Sequence, residues 1–150
     1  MIFAEEPRVF TFSMHCRENH FSTREKSDLD MELDAGCGDE RYLDVLQGCL
    51  SPLFRQTKPD VVFFQAGVDP HAADRLGRLQ LTREGLQRRN EAVLSACLSR
   101  DTPVVVTMGG GYPTDLDPSS EPFQEVVTAH ADVYITAAQL HAQYNARKVS

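Results

Sequence analysis

Two short segments carry the side chains best placed to do chemistry. In the first, Gln65-Ala-Gly-Val-Asp-Pro70, an aspartate follows a continuous apolar run and a glycine. Gly67 permits a sharp turn that would aim the Asp69 carboxylate off the end of a strand. A hard carboxylate oxygen there suits a divalent cation. Asp69 also fits a plainer role, because Asp before Pro favours a turn through local hydrogen bonding. In the second segment, Met108-Gly-Gly-Gly-Tyr112, three glycines bring the backbone close to a neighbour and then present a phenol. With an ordinary pKa of about 10 the phenol stays protonated at neutral pH, and such a donor can stabilise an oxyanion. A bare strand exit with an exposed tyrosine and a phosphate cradle are the competing readings. The cradle lacks the G-x-G-x-x-G spacing and the P-loop lysine.

Two further candidates have plainer explanations. His71, two residues after Asp69, reads as a surface loop histidine. Asp28 and Asp30 resemble a phosphotransferase-type acidic pair, but the alternation of Ser27–Asp34 puts Leu29, Met31 and Leu33 on one side and the carboxylates on the other. Solvation of the wet face of an edge strand accounts for them.

The elements that must position these residues follow from periodicity. Arg8–His15 is rich in Val, Phe and Thr and reads as a buried strand. Leu43, Leu46, Leu50, Leu53 and Phe54 recur at helical spacing over 40–57, with Asp39 as cap and a bend or break at Pro52. Asp60–Gly67 and Pro103–Met108 are short apolar runs of the kind found in parallel strands covered on both faces. A helix from Thr82 to Arg100, with Leu86, Val93, Leu94, Cys97 and Leu98 on one stripe, makes a βαβ crossover that brings both strand ends to one edge. A last helix, capped at Ser119 or Ser120, runs to Asn145 with Phe123, Val126, Val127, His130 and Tyr134 inward. Ligands of open parallel sheets bind beyond the carboxyl ends of the strands. There Ser13-Met14-His15, Gln65–Gly77 and Met108–Pro113 are expected to converge.

Composition narrows the classes. At 150 residues, 41% hydrophobic and 25% charged, the chain suits a single domain, and its net charge of -7 argues against a nucleic-acid surface. Gln87, Arg88 and Arg89 read as a solvated helix face. No apolar run is long enough for a membrane span, so a cytoplasmic protein is expected. The four cysteines show no Cys-x-x-Cys pair and read as reduced thiols, with Cys97 a small core hydrophobe.

Four blocks in order, PRVFTFSMH, SDLDMELDAGCGDERYLDVL, PDVVFFQAGVDPHAADRLGRLQLTREGLQRRN and VVVTMGGGYP, resemble the histone deacetylase family, most closely class IV and its bacterial relatives. The resemblance covers nearly the whole chain. It implies an α/β arginase/deacetylase fold, a three-layer parallel sheet flanked by helices, with residues 1–150 forming the C-terminal portion of one domain. It implies a zinc ion (Zn2+) held by two aspartates and a histidine, with Asp69 at the second aspartate position, a histidine as general base and Tyr112 as oxyanion donor beside Gly109, Gly110 and Gly111. Ser13 and Met14 match a segment that helps bind a structural monovalent cation, K+. Asp74 and Arg75 match a loop that supports the metal aspartate. The substrate class implied is acetylated lysine or a small N-acetylated amine.

The family's Asp-x-His ligand pair and paired catalytic histidines precede the segment that Met1–Glu6 matches. His15 and His20 do not replace them. The expectation is therefore that this chain alone binds zinc weakly and does not deacetylate, and that an uncovered sheet edge favours self-association. A non-catalytic remnant acting as a binding or regulatory module is the alternative.

Overall fold

The structure is a computed structural model that describes residues 2–19 and 25–149, so His20 and most of its loop lie outside it. In chain order the elements are β1 (Phe12–Cys16), β2 (Leu29–Leu33), α1 (Asp39–Thr57), β3 (Val62–Gln65), α2 (Arg83–Leu98), β4 (Val104–Thr107) and α3 (Glu121–Val149). None of these helices is long and apolar enough to cross a membrane.

The α/β class is observed, with parallel pairing throughout. β1 pairs with β2, from Phe12 opposite Leu29 to Cys16 opposite Leu33, and β3 with β4, from Val62 opposite Val104 to Gln65 opposite Thr107. Among the described residues these are two separate two-stranded sheets and not one continuous three-layer sheet. The β3–α2–β4 crossover brings the exits of β3 and β4 side by side.

The core joins one face of each pair to the helices. Leu33, Tyr42, Leu43, Leu46, Val68, Leu81, Leu86 and Val93 are buried together, with Phe12, Met14, Met31 and Phe64 packed against them. The strands of the second pair are not covered on both faces as their composition suggested. Phe63 is 71% exposed and Val61 and Val105 are 43% exposed, because these outward residues alternate with Val62 and Phe64, which face the packed side.

Three local expectations are corrected. Gly38, not Asp39, is the N-cap of α1 and gives no side-chain cap. The Asp39 carboxylate instead accepts from the Thr82 amide (2.9 Å) and hydroxyl (2.6 Å), while Thr82 caps α2 by accepting from the Gly85 amide (3.0 Å). One carboxylate thus ties two helix N-termini together. Helix α1 is not broken at Pro52, since the bond it forfeits to the Gly48 carbonyl falls on an exposed part of the helix where water can serve. In α3, Val127 and Tyr134 point outward. The buried positions are Ala129, Asp132, Val133 and Thr136, and an ion pair lies among them.

That pair is Asp132 with Arg83 of α2, bidentate at 2.5 and 2.8 Å. The Arg83 guanidinium holds the Asp132 carboxyl below its ordinary value, against a smaller upward push from burial. A carboxyl whose folded pKa is depressed stabilises above its unfolded value and loses that contribution as pH falls through the folded one. Arg83 is half exposed, which limits the effect to about 1 kcal/mol. Arg83→Met should therefore lower the melting temperature by about 2–5 °C at neutral pH, and the gap to the parent should shrink once the pH drops below 3.8. Thermal melts of both proteins across that range check it.

Candidate functional site

The exits of β3 and β4 touch with little between them. The Val68 amide donates to the Gly110 carbonyl at 2.7 Å. A Cβ on Gly67 would stand 2.6 Å from an Asp69 carboxylate oxygen and 2.9 Å from the Gly110 nitrogen, and one on Gly109 would stand 2.8 Å from the Gly67 Cα. No side chain fits in this seam. Asp69 and Tyr112 emerge from it on either side of Gly110, whose added Cβ would meet the Asp69 carboxylate at 2.9 Å and the Tyr112 ring at 3.0 Å.

A second brace fixes the loop that follows. Asp74 accepts from the amides of Leu76 (2.8 Å) and Gly77 (2.7 Å) with one oxygen and from the Tyr112 amide (2.7 Å) with the other. The Arg75 amide donates to the Tyr112 carbonyl at 2.9 Å. Asp74 and the Arg75 backbone therefore tie the Asp69 loop to the tyrosine loop, while the Arg75 side chain lies on the exposed surface.

Burial pushes the Asp69 carboxyl above its ordinary range, and the neighbouring Asp74 charge adds to the effect. Asp69's own amide, Arg89 and His130 pull the other way. His130, from α3, backs onto the glycine loop. Its Nε2 would be 2.8 Å from a Cβ on Gly111. Burial and then the Arg89 charge lower the His130 pKa, which favours the neutral imidazole at pH 7.

The first strand reaches the same region. Met14 and His15 line, with Asp69, Pro70 and Gly77, a small cavity of about 50 Å³. The Ser13 hydroxyl lies 2.8 Å from His15 Nδ1, and Met14 packs against the core. The structure thus brings Asp69, Tyr112 and the three glycines together, with Met14 at the margin. His71 is half buried and joins the loop through its backbone, its amide donating to the Val68 carbonyl. Asp28 lies elsewhere, accepting from the Thr11 amide and hydroxyl at 2.7 Å each, contacts that hold its carboxyl below the ordinary range.

A catalytic zinc takes three protein ligands and a water. Among the described residues no three His, Cys, Asp or Glu side chains come together to hold a metal ion. Asp69 is a single donor, so these residues do not by themselves fit a zinc site.

Sequence reasoning missed what lies beneath the seam. Arg89, read as part of a solvated face, is 4% exposed. Its guanidinium donates to the carbonyls of Gly67 (2.6 Å) and Ala66 (3.4 Å) and to Asn90 Oδ1 (2.9 and 3.1 Å). A signal was present: Arg89 and Asn90 stand three and four residues after Leu86 and before Val93 and Leu94, in phase with the apolar stripe of α2.

The seam predicts unequal responses to one methyl group. Gly110→Ala should displace Asp69 or Tyr112 and cost about 1–3 kcal/mol. Gly48→Ala, at an exposed helix position with nothing within 4 Å of the new carbon, should stabilise by up to about 1 kcal/mol. Urea denaturation of the two variants should move in opposite directions, and a Gly110→Ala midpoint equal to the parent's would refute the packing described.

The sequence pattern of the histone deacetylase domain matches residues 1–130. An uncharacterized protein of Picosynechococcus is 51% identical over 111 residues, covering 74% of this chain and 37% of that protein. Histone deacetylase 2 of Arabidopsis thaliana is 28% identical over 111 residues, covering 72% and 29% respectively. A probable deacetylase of Archaeoglobus fulgidus is 32% identical over 85 residues, covering 56% and 24%. The matched segments thus cover between about a quarter and just over a third of the length of these relatives. With a match over most of its residues and deacetylases among its relatives, the chain belongs to the histone deacetylase family.

Proposed function

We propose that this chain carries one part of a zinc-dependent deacetylase site that hydrolyses the amide of an acetylated lysine or a related small N-acetylated amine. The observation that supports it is the meeting of Asp69 and Tyr112 across Gly110 in a chain of this family. Asp69 is assigned as one carboxylate ligand of the metal. Tyr112, whose amide is pinned by Asp74 at 2.7 Å, is assigned as a donor to the oxyanion that develops when the amide carbonyl is attacked. Asp74 and the Arg75 backbone hold the two loops in register. Ser13 and Met14 are assigned to a monovalent-cation site. The partner is a small acetylated amine and not nucleic acid.

A second reading, a non-catalytic binding module, draws on the absence of a metal-binding cluster among the described residues. One pair of experiments separates the two. Chelator-washed chain should take up zinc well below one ion per protein and leave an acetyl-lysine peptide intact. Joined to the remaining portion of the Picosynechococcus relative, it should turn that peptide over. In the joined protein Asp69→Asn and Tyr112→Phe should each reduce turnover by about 100-fold or more. A joined protein that binds zinc fully yet is inert, or is indifferent to both substitutions, would leave the binding module as the better account.

A further inference from the structure

We propose that Arg89 is the positioning residue of this site, a buried cation that grips the carbonyls at the β3 exit and so fixes the direction in which Asp69 leaves the sheet. The functional sense of this rests on the reading of Asp69 as a metal carboxylate, although the geometry stands without it.

The guanidinium sits where the two exits are set against each other. Nη1 donates to the Gly67 carbonyl at 2.6 Å, and Nη2 to the Ala66 carbonyl at 3.4 Å. Gly67 is also the residue whose Cα lies against Gly109 and whose neighbour Val68 donates to Gly110. Gly67 is therefore clamped from two sides, by Arg89 below and the glycine loop beside it. Asp69 follows two residues later.

The choice of arginine argues against packing alone. Burying a cation is costly unless its donors are used, and an apolar side chain would fill the same volume without that cost. Here the planar fork is fully engaged. Two arms take carbonyls, the Nε and Nη2 donors converge on Asn90 Oδ1 at 3.1 and 2.9 Å, and the Phe64 ring lies 5.6 Å from the guanidinium carbon. The Tyr42 phenol, itself buried, lies against the same group. Asn90 is 1% exposed and its Nδ2 has no hydrogen-bond partner among the described residues. It receives the arginine in the manner of a carboxylate while leaving one buried donor unused. Asn90→Asp would remove that unused donor and place a formal negative charge beside the cation.

Amide hydrogen exchange on the full chain tests the assignment. In Arg89→Met the Val68 and Ala66 amides should lose at least 10-fold more protection than the Leu46 amide of α1. Arg89→Lys, which can still donate to one carbonyl, should recover part of the difference, and Asn90→Asp should raise Val68 protection above the parent's. A uniform loss at all three amides with no recovery in Arg89→Lys would make Arg89 a packing residue and overturn the proposal, as would unchanged rates. Should Arg89→Met fail to fold, Arg89→Lys and Asn90→Asp decide by the same criterion. The unmodified chain offers a further readout, in which separate, slowly exchanging Arg89 Nη–H signals with contacts to Gly67 are expected and one averaged guanidinium signal would overturn the clamp. A joined protein that keeps its turnover without Asp69 would sink the metal reading and leave these rates unchanged.

Discussion

Neighbouring parallel strands lie about 4.8 Å apart, and at the β3 and β4 exits that spacing leaves backbone against backbone. The constraint explains the residue types around it. Gly67, Gly109 and Gly110 are glycines because a Cβ at any of them would meet a backbone atom or the Asp69 carboxylate at under 3 Å. With the seam closed, Asp69, just past Val68 on one exit, and Tyr112, just past the glycines on the other, emerge close together around Gly110. Asp74 then extends the contact by bonding the Tyr112 amide and its own loop with one carboxylate. The site is thus a consequence of how two strands end.

The parts of this arrangement that were legible in the sequence are those with an unambiguous local signal. A glycine run after an apolar strand is hard to read as anything but close approach, and the stripe of Leu86, Val93, Leu94 and Cys97 located α2 to within a residue or two. What escaped was set by partners distant in the chain. Arg89 shares the phase of that stripe, yet its charge suggested solvent, because the carbonyls that receive it, at Ala66 and Gly67, belong to the exit of β3, some twenty residues earlier. Asp39 looked like a cap of its own helix and serves Thr82 instead, across 43 residues. In α3, Val127 and Tyr134 face outward, while Asp132, which is acidic and carries no hydrophobic signal, is buried against Arg83.

The second pair of strands shows a different limit. Val61, Phe63 and Val105 have the composition of residues covered by another layer, yet their side of the sheet is exposed, while Phe64 on the opposite side lies under Arg89 of α2. An apolar run states that both faces can be buried. It does not state by what. Proteins that match this chain are about twice as long or more, and the matched segments cover 24–37% of them.

The electrostatics of Asp69 follow from its burial at the seam. Three influences would keep the carboxylate ionised: its own amide, the Arg89 charge and His130. Burial outweighs them, and Asp74 adds to it, so the net displacement favours the protonated form. Arg89 cannot reverse this, because its hydrogen bonds go to Gly67, Ala66 and Asn90 and not to Asp69. His130 cannot either, since burial and Arg89 together disfavour its charged form. The carboxylate is therefore held in a direction fixed by its backbone, with no counter-charge in contact among the described residues.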